Sequence, residues 1–315
     1  MGEGARSVSS ELELSTAPPP GWEAWAEGGR LLFQAPAWQR VLTAAFAARP
    51  VYCWHLARQQ GAVVTLFRRG PFRVAYLGFP VISEHVDRAW IEAVVAALRA
   101  PRSPIRVDLV RVPASAFVVE ERLAMAAALT PETAIENLSA WSPHANPKLE
   151  RDLRKARHSR LEVDARPGTA AAASLYALYR ETIRRRGGRL RYNLAYFREL
   201  LALSGESPRL RCFVARLDGA IVGFAAAALD GATACYLHAA TDTHHRHLGV
   251  SDRLLEEIVE WALESGAVRC NLMSSPPASQ SLVRFKEKWG GSTRLMPTYW
   301  TAFDLRGRLL ARLLA

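Results

Sequence analysis

Cysteine is scarce in this chain of 315 residues, and the four that occur are Cys53, Cys212, Cys235 and Cys270. None stands at CxxC spacing, so the sequence predicts neither a zinc site nor a redox motif. Each lies in an apolar run that is typical of a strand. We therefore expect reduced thiols in the core of a cytoplasmic protein.

Long apolar runs are also missing. The most conspicuous uncharged run, residues 220–229, is far shorter than the roughly 20 residues that a transmembrane helix needs. The N-terminus carries Glu3, Glu11 and Glu13 and lacks the apolar segment of a secretory signal. Residues 1–20 end in Ala-Pro-Pro-Pro, and their composition predicts a flexible tail.

Positive charge dominates the composition. Lys and Arg together number 41 against 30 Asp and Glu, which gives a formal net charge of +11 at pH 7. This balance favours partners that carry phosphate groups, such as tRNA, or an anionic membrane surface. A solvated basic surface would have the same composition, so the charge alone leaves these alternatives open.

The same order of predicted elements occurs twice along the chain. Each half contains a helix, three strands of an antiparallel meander, a loop, a further helix and a further strand, which predicts a duplicated α+β module. The segments of the first half are residues 36–48, 52–58, 62–68, 74–79, 87–99 and 105–110. Those of the second half are residues 170–186, 194–203, 212–217, 220–229, 232–240, 251–264 and 269–273.

Two Asp-Gly pairs, at residues 218–219 and 230–231, separate the strands of the second meander and are strong hairpin signals. The loop that follows this meander reads Arg-His-Leu-Gly-Val-Ser, residues 246–251, and leads into a helix. Backbone N–H groups at a helix start lack acceptors, and with the helix dipole they attract an anion such as pyrophosphate. Residues 79–85 hold the matching place in the first half and contain no glycine, so we expect only the second half to bind such an anion.

Arg246, Gly249 and Ser251 in this loop resemble the acyl-CoA pyrophosphate loop of the GNAT superfamily, Gln/Arg-x-x-Gly-x-Gly/Ala. Residues 284–290, Arg-Phe-Lys-Glu-Lys-Trp-Gly, resemble the RFKxKWG segment of FemAB-like acyltransferases. These are double-GNAT proteins that include the peptidoglycan-bridge aminoacyltransferases. Some members that use aminoacyl-tRNA carry a long coiled-coil arm, and this sequence has no heptad run of that length. Further similarity lies in residues 33–38, 152–157 and 239–242, so the resemblance spans residues 22–300.

The resemblance implies an α+β fold of tandem GNAT-like domains, each with a mixed, mostly antiparallel central sheet flanked by helices. It places a degenerate domain at residues 21–140 and the acyltransferase domain at residues 141–315. It also implies acyl-CoA, or alternatively aminoacyl-tRNA, as cosubstrate and no metal. The residues expected to bind the donor are Ala240, Thr241, Arg246, His247, Leu248, Gly249, Val250 and Ser251.

The resemblance to GNAT proteins places the reacting carbonyl where the fourth and fifth strands of the second domain diverge, at residues 237–241 and 271–275. Backbone N–H groups there are the expected oxyanion donors. His238 and Asp242 are the nearest titratable residues, and the resemblance adds Lys286 as a catalytic residue. The alternatives are a structural strand histidine, an aspartate that shapes the turn, and a solvated lysine.

Arg189, Tyr192 and Phe285 are candidates for acceptor binding. The leading hypothesis is a cytoplasmic acyltransferase that moves an acyl group from acyl-CoA to an amine or a sugar-linked acceptor. One alternative is an aminoacyl-tRNA-dependent transferase that acts on a cell-wall peptide precursor. Another is a noncatalytic basic module that binds RNA or an anionic lipid.

Overall fold

The computed structural model describes residues 12–56, 58–83, 85–113 and 126–314. Within these ranges, no helix combines the length and apolar character that crossing a membrane requires. The strands are β1 (Leu12–Ser15), β2 (Arg49–His55), β3 (Gln60–Arg69), β4 (Phe72–Leu77), β5 (Leu109–Pro113), β6 (Ala126–Ile135), β7 (Glu162–Asp164), β8 (Leu210–Leu217), β9 (Ala220–Asp230), β10 (Thr233–Thr241), β11 (Arg269–Ser274) and β12 (Ser292–Ala302). The α-helices are α1 (Trp22–Gly28), α2 (Pro36–Phe46), α3 (Arg88–Arg99), α4 (Pro147–Arg157), α5 (Ala172–Arg185), α6 (Leu194–Glu206), α7 (Val250–Glu264), α8 (Gln280–Lys288) and α9 (Leu305–Leu314).

The chain forms two compact units, one of Met1–Thr130 with Leu295–Ala315 and the other of Pro131–Arg294. This division differs from the single boundary that the sequence suggested between residues 140 and 141. The reason is the pairing of β12, whose residues Thr298 to Ala302 form an antiparallel ladder with β5 in the first unit. A strand near the C-terminus therefore completes the sheet of the N-terminal unit.

The first unit contains a sheet in the order β1-β2-β3-β4-β5-β12. Neighbouring strands are antiparallel except β4 and β5, which are parallel and are connected through α3. Asp87 caps α3 by accepting a hydrogen bond from the N–H of Trp90 at 2.8 Å. Apolar residues of α3, including Ile91 and Val94, pack with the buried strand residues to form the core of this unit.

The predicted flexible tail of residues 1–20 is wrong for its second half. Leu12–Ser15 is a strand that pairs with β2, in a register that joins Leu12 to His55 and Ser15 to Tyr52. Because side chains alternate along a strand, Leu12 and Leu14 share one face, and both pack against the core of the first unit. Residues 1–11 lie outside the described ranges.

The second unit contains a sheet in the order β6-β11-β10-β9-β8-β7, again antiparallel except for one parallel pair, β10 and β11. A Cβ at Gly223 of β9 would lie 2.5 Å from Val250, so this residue faces α7. The next residue, Phe224, contacts Phe197 of α6 with ring centroids 5.7 Å apart. Helices therefore cover both faces, which confirms the expected mixed, mostly antiparallel sheet flanked by helices.

The contact between α4 and α7 includes a buried carboxylate. Glu256 of α7 is 1% exposed, and its Oε1 accepts from Nη2 of Arg157 at 2.6 Å. Its Oε2 accepts from Nη1 of Arg253 at 2.9 Å. Because a buried charge is tolerated only with partners, this network determines how α4 packs beside α7.

Replacing Glu256 by alanine should lower the free energy of unfolding by about 2 kcal/mol, because two guanidinium groups lose their shared acceptor. Urea unfolding followed by tryptophan fluorescence measures this loss. Glu264, exposed at the end of the same helix, provides a matched control whose alanine variant should stay within about 0.5 kcal/mol of the wild type. Equal losses in the two variants would contradict the role assigned to Glu256.

Candidate functional site

Strands β10 and β11 pair in parallel over three residue pairs, from Thr233 with Arg269 to Cys235 with Asn271. Beyond this point each strand is irregular. The register between β10 and β9 shifts between Tyr236 and His238, and that between β11 and β6 shifts between Asn271 and Ser274. Bulges of this kind redirect a strand and end its pairing, so the two strands diverge at the place where the sequence predicted the reaction centre.

The end of β11 has an unusual backbone. Met273 has a φ of +64°, a left-handed conformation that is unfavourable for a side chain of this size. Its N–H donates to Oδ1 of Asn271 at 2.7 Å, and the N–H of Ser275 donates to the carbonyl oxygen of Pro131 at 2.8 Å. Both N–H groups belong to the segment predicted to supply oxyanion donors. That prediction is therefore wrong for these two groups, because each already has an acceptor.

Lys286 lies on α8 and is only 2% exposed, so the alternative of a solvated lysine is wrong. Its Nζ donates to the carbonyl oxygens of Met273 and Ser274 at 2.6 and 3.1 Å and to Oγ of Ser275 at 2.9 Å. An ammonium group has three N–H donors, and these three acceptors engage all of them. Burial lowers the pKa of Lys286 to about 8, with a smaller opposing effect from Glu132. In this arrangement Lys286 holds the end of β11, and its predicted catalytic role stays a prediction.

His238 lies on β10 within a group of aromatic rings. Its Nε2 is 2.7 Å from the hydroxyl oxygen of Tyr196, and its ring centroid is 4.5 Å from that of Tyr192. Asn193 is the N-cap of α6. Its side chain accepts from the N–H of Tyr196 at 2.9 Å and so begins the helix that presents this hydroxyl. Burial lowers the pKa of His238 to about 4, which makes its imidazole neutral and weakly basic near pH 7.

Asp242 caps the short 3₁₀ turn Thr243–Leu248 that follows β10. Its Oδ1 accepts from the N–H of His244 at 2.9 Å, and its Oδ2 lies 3.0 Å from Nδ1 of His245. The hydrogen bond from His244 holds the pKa of this carboxyl below its ordinary value. These contacts support the alternative that Asp242 shapes the loop, and its predicted catalytic role stays a prediction.

The predicted donor loop joins this turn to α7. Gly249 has a φ of +76°, and a Cβ at this position would lie 2.8 Å from the Cβ of Ala156. Glycine is thus required here by both the backbone conformation and the approach of α4. Ser251 Oγ is 3.5 Å from Thr241 Oγ1, which brings the start of α7 next to the end of β10.

The other predicted donor-binding residues differ in exposure. Arg246 and His247 are exposed, and Leu248 packs against the core of the second unit. The side chains of Ala240 and Val250 are buried, so a ligand could reach only their backbone atoms.

Two acidic residues and a lysine link α4, α7 and α8. The Nζ of Lys288 donates to Oδ1 of Asp252 at 2.6 Å and to Oδ2 of Asp152 at 3.1 Å. It also lies 5.3 Å from the ring centroid of Phe285. Asp252 stands in the first turn of α7, and Lys288 neutralises the charge that would repel an anion there.

The structure brings some predicted site residues together and separates others. Tyr192 contacts His238, whereas Phe285 packs against the core cluster that includes α7 residues. Arg189 is exposed in the connection between α5 and α6. The roles of all three in acceptor binding stay predictions.

Sequence reasoning missed two polar residues at the divergence. Glu132 of β6 accepts from Nδ2 of Asn271 at 3.1 Å, and it also acts electrostatically on Lys286. The signal for Asn271 was its position as a polar residue inside the apolar run of β11. No local signal marks Glu132, because Pro131 directly before it argues against a central strand.

The four cysteines are free and buried, as expected of core thiols. Burial raises the pKa of Cys235 well above its ordinary value, so its thiol is a poor nucleophile. Among the described residues, no group of three or more His, Cys, Asp and Glu side chains is arranged to hold a metal ion.

Residues 146–278 match the family model described as acetyltransferase (GNAT) domain. Among solved structures, FemX has a TM-score of 0.65 at 13% identity and covers 96% of this chain and 99% of its own. L-PGS from Bacillus licheniformis has a TM-score of 0.58 at 15% identity, with 96% and 97% covered. A tandem GNAT protein from the clavulanic acid biosynthesis pathway has a TM-score of 0.53 at 14% identity, with 93% and 99% covered. A comparison with curated proteins gave no significant match.

These findings define the class of protein. Residues 146–278 therefore form a GNAT acetyltransferase domain, which supports an acyltransferase. The likeness to FemX and to the tandem GNAT protein shows that it has the FemAB-like tandem GNAT fold.

Replacing Gly249 by alanine should destabilise the protein by about 2 kcal/mol, because both backbone strain and the contact with Ala156 oppose a Cβ there. Gly266 is a matched control, since its φ of +74° is similar but its added Cβ would meet open space. Its alanine variant should lose only about 1 kcal/mol. Thermal unfolding followed by circular dichroism measures both. A larger loss at Gly266 would show that the approach of α4 is unimportant.

The His238 imidazole should titrate with a midpoint of about 4 in an NMR pH series, with its signal assigned by its loss in His238→Gln. The folded state disfavours the protonated imidazole of His238. The free energy of unfolding should therefore fall as the pH drops from the ordinary histidine range toward 4. Tyr196→Phe removes the hydroxyl partner and should leave the midpoint depressed, since burial is the cause. A midpoint near 6.5 in the wild type would refute the burial of this ring.

Proposed function

We propose that the protein transfers an acyl group from acyl-CoA to an amine or a sugar-linked acceptor, through a tetrahedral intermediate where β10 and β11 diverge. The observation that carries this proposal is the closeness of that divergence to a helix start, with Thr241 and Ser251 hydroxyls 3.5 Å apart. A donor with its phosphates at the helix start would thus extend its acyl group along the end of β10.

The start of α7 provides the donor site in this proposal. A helix start has N–H groups without helical acceptors and the positive end of the helix dipole. The N-cap residue Gly249 has no side chain that could accept from these N–H groups. Arg246 adds an exposed positive charge before the helix. Since Lys288 neutralises Asp252, the first turn suits a pyrophosphate group.

The proposed reaction is attack of the acceptor nitrogen or oxygen on the acyl carbonyl, after which the carbon–sulfur bond breaks and coenzyme A leaves as a thiolate. The acceptor releases one proton, and protonation of the thiolate to the free thiol of coenzyme A balances it. We place the oxyanion donor at the bulge of β10, where the register with β9 passes over Leu237. A His238 with a pKa of about 4 would be a weak base, so an amine acceptor would react most readily in its neutral form.

An aminoacyl-tRNA donor, with a cell-wall peptide precursor as acceptor, is the second candidate. It is supported by the fold shared with the C-terminal domain of a putative lysylphosphatidylglycerol synthetase from Agrobacterium fabrum, which has a TM-score of 0.54 at 15% identity and covers 80% of this chain. It is also supported by three exposed arginines, Arg185 at the end of α5 and Arg189 and Arg191 in the connection to α6. The same charges would suit peripheral contact of a cytoplasmic enzyme with an anionic membrane.

Coenzyme A and acetyl-CoA should each raise the melting temperature of the wild type, measured by differential scanning fluorimetry. In Ser251→Asp, the ligand concentration that produces the same shift should be at least about tenfold higher, because the substitution places a carboxylate beside the phosphates. An acidic residue in the first turn stabilises a helix, so the substitution should not unfold the protein. Thr169→Asp introduces the same charge at the exposed start of the turn before α5 and should leave the shift unchanged.

No shift with coenzyme A or acetyl-CoA at saturating concentration would contradict an acyl-CoA donor. Acyl transfer from aminoacyl-tRNA in that case would establish the second candidate. Salt-sensitive binding of RNA without preference and without transfer would instead indicate the noncatalytic module.

A further inference from the structure

We propose that Asn271 is a positioning residue for the reaction centre, and that its side-chain amide holds β11 in the bent conformation that presents two carbonyl oxygens to Lys286. The effect of Asn271 on turnover rests on the proposed acyl transfer. Its effect on the conformation of β11 rests only on the contacts of its side chain.

The amide of Asn271 has two partners, and each limits its orientation. Its Nδ2 donates to Oε1 of Glu132 at 3.1 Å, and its Oδ1 accepts from the N–H of Met273 at 2.7 Å. The side chain is 5% exposed, so water competes little for either hydrogen bond. Glu132 thus orients the side-chain amide of Asn271 so that Oδ1 points toward Met273 in the same strand.

The hydrogen bond from the N–H of Met273 to Oδ1 of Asn271 takes the place of a ladder hydrogen bond between strands. The register of β11 with β6 shifts between Asn271 and Ser274, and within this interval Met273 adopts its φ of +64°. A methionine in this conformation requires compensation from its surroundings. The short loop that its N–H closes with Oδ1 of Asn271 stabilises this conformation and therefore the bend.

The bend has a direct consequence for Lys286. In a regular strand, successive carbonyl groups point in opposite directions. Here the carbonyl oxygens of Met273 and Ser274 both accept from the Nζ of Lys286, at 2.6 and 3.1 Å. One ammonium group can reach both because the backbone turns between them.

The polar group lies on the face of the sheet that also carries His238. Cys270 belongs to the core cluster that includes α7 residues, so its neighbour Asn271 faces the opposite side. His238 contacts Tyr196 of α6, which covers that opposite side. The charges that act on Lys286 are Glu132, which raises its pKa, and Arg186, which lowers it.

The chain has only four lysines, Lys148, Lys155, Lys286 and Lys288, so the NMR signals of the lysine side chains can be resolved individually. In protein labelled with ¹³C at lysine Cε, the Lys286 signal should titrate with a midpoint of about 8. In Asn271→Ala the end of β11 should relax and admit water, so that the midpoint rises by about one unit or more toward the ordinary lysine value.

Glu132→Gln separates positioning from direct electrostatics. Glutamine keeps the acceptor oxygen for Asn271 but removes a negative charge, so the Lys286 midpoint should fall. In the double variant Asn271→Ala with Met273→Gly, glycine adopts a positive φ without strain, and the midpoint should return toward 8. An unchanged midpoint in Asn271→Ala, or no return in the double variant, would overturn the proposal.

Amide hydrogen exchange in the wild type provides a test that depends on no variant. The N–H of Met273 should exchange slowly, because it is hydrogen-bonded to a buried side chain. Rapid exchange of this N–H would overturn the proposal even if Asn271→Ala failed to fold. Neither measurement uses a donor or an acceptor, so both results hold independently of the proposed function.

Discussion

The early end of the parallel pairing between β10 and β11 is the constraint on which the candidate site depends. Three residue pairs join the strands, and a bulge in one and a bend in the other then direct them apart. The loop to α7 follows from the end of β10, and the segment that Lys286 holds follows from the end of β11. A regular ladder would close the space that a donor and an acceptor must share.

Charged side chains that are buried or half-buried join the elements of the second unit. Lys286 holds β11, Lys288 joins α8 to α4 and α7, and Glu256 joins α7 to α4. Of 41 basic residues only four are lysines, and two of these occupy such positions. A compact ammonium group fits three converging oxygen atoms, whereas a planar guanidinium group does not.

Local signals predicted the second unit well. The Asp-Gly pairs join β8 to β9 and β9 to β10 as expected, and the predicted helix over residues 194–203 corresponds to α6. The missed strands were β1, β6, β7 and β12. Strand β6 contains Pro131, a residue that argues against a central strand, and β12 follows the motif of residues 284–290 without a turn signal of its own. Their pairing with β11 and β5 joins residues more than a hundred positions apart, which no local pattern reveals.

The sequence by itself determined the two hairpins of the second unit, α7 and the position of the loop before it, because these depend on turn chemistry and on side-chain periodicity. Only the tertiary structure decided which groups are available for chemistry. It engaged the N–H groups of Met273 and Ser275, placed the half-buried His238 against Tyr196, and surrounded Lys286 with acceptors. Burial and hydrogen-bond partners determine basicity and donor capacity, and both come from segments distant in the chain.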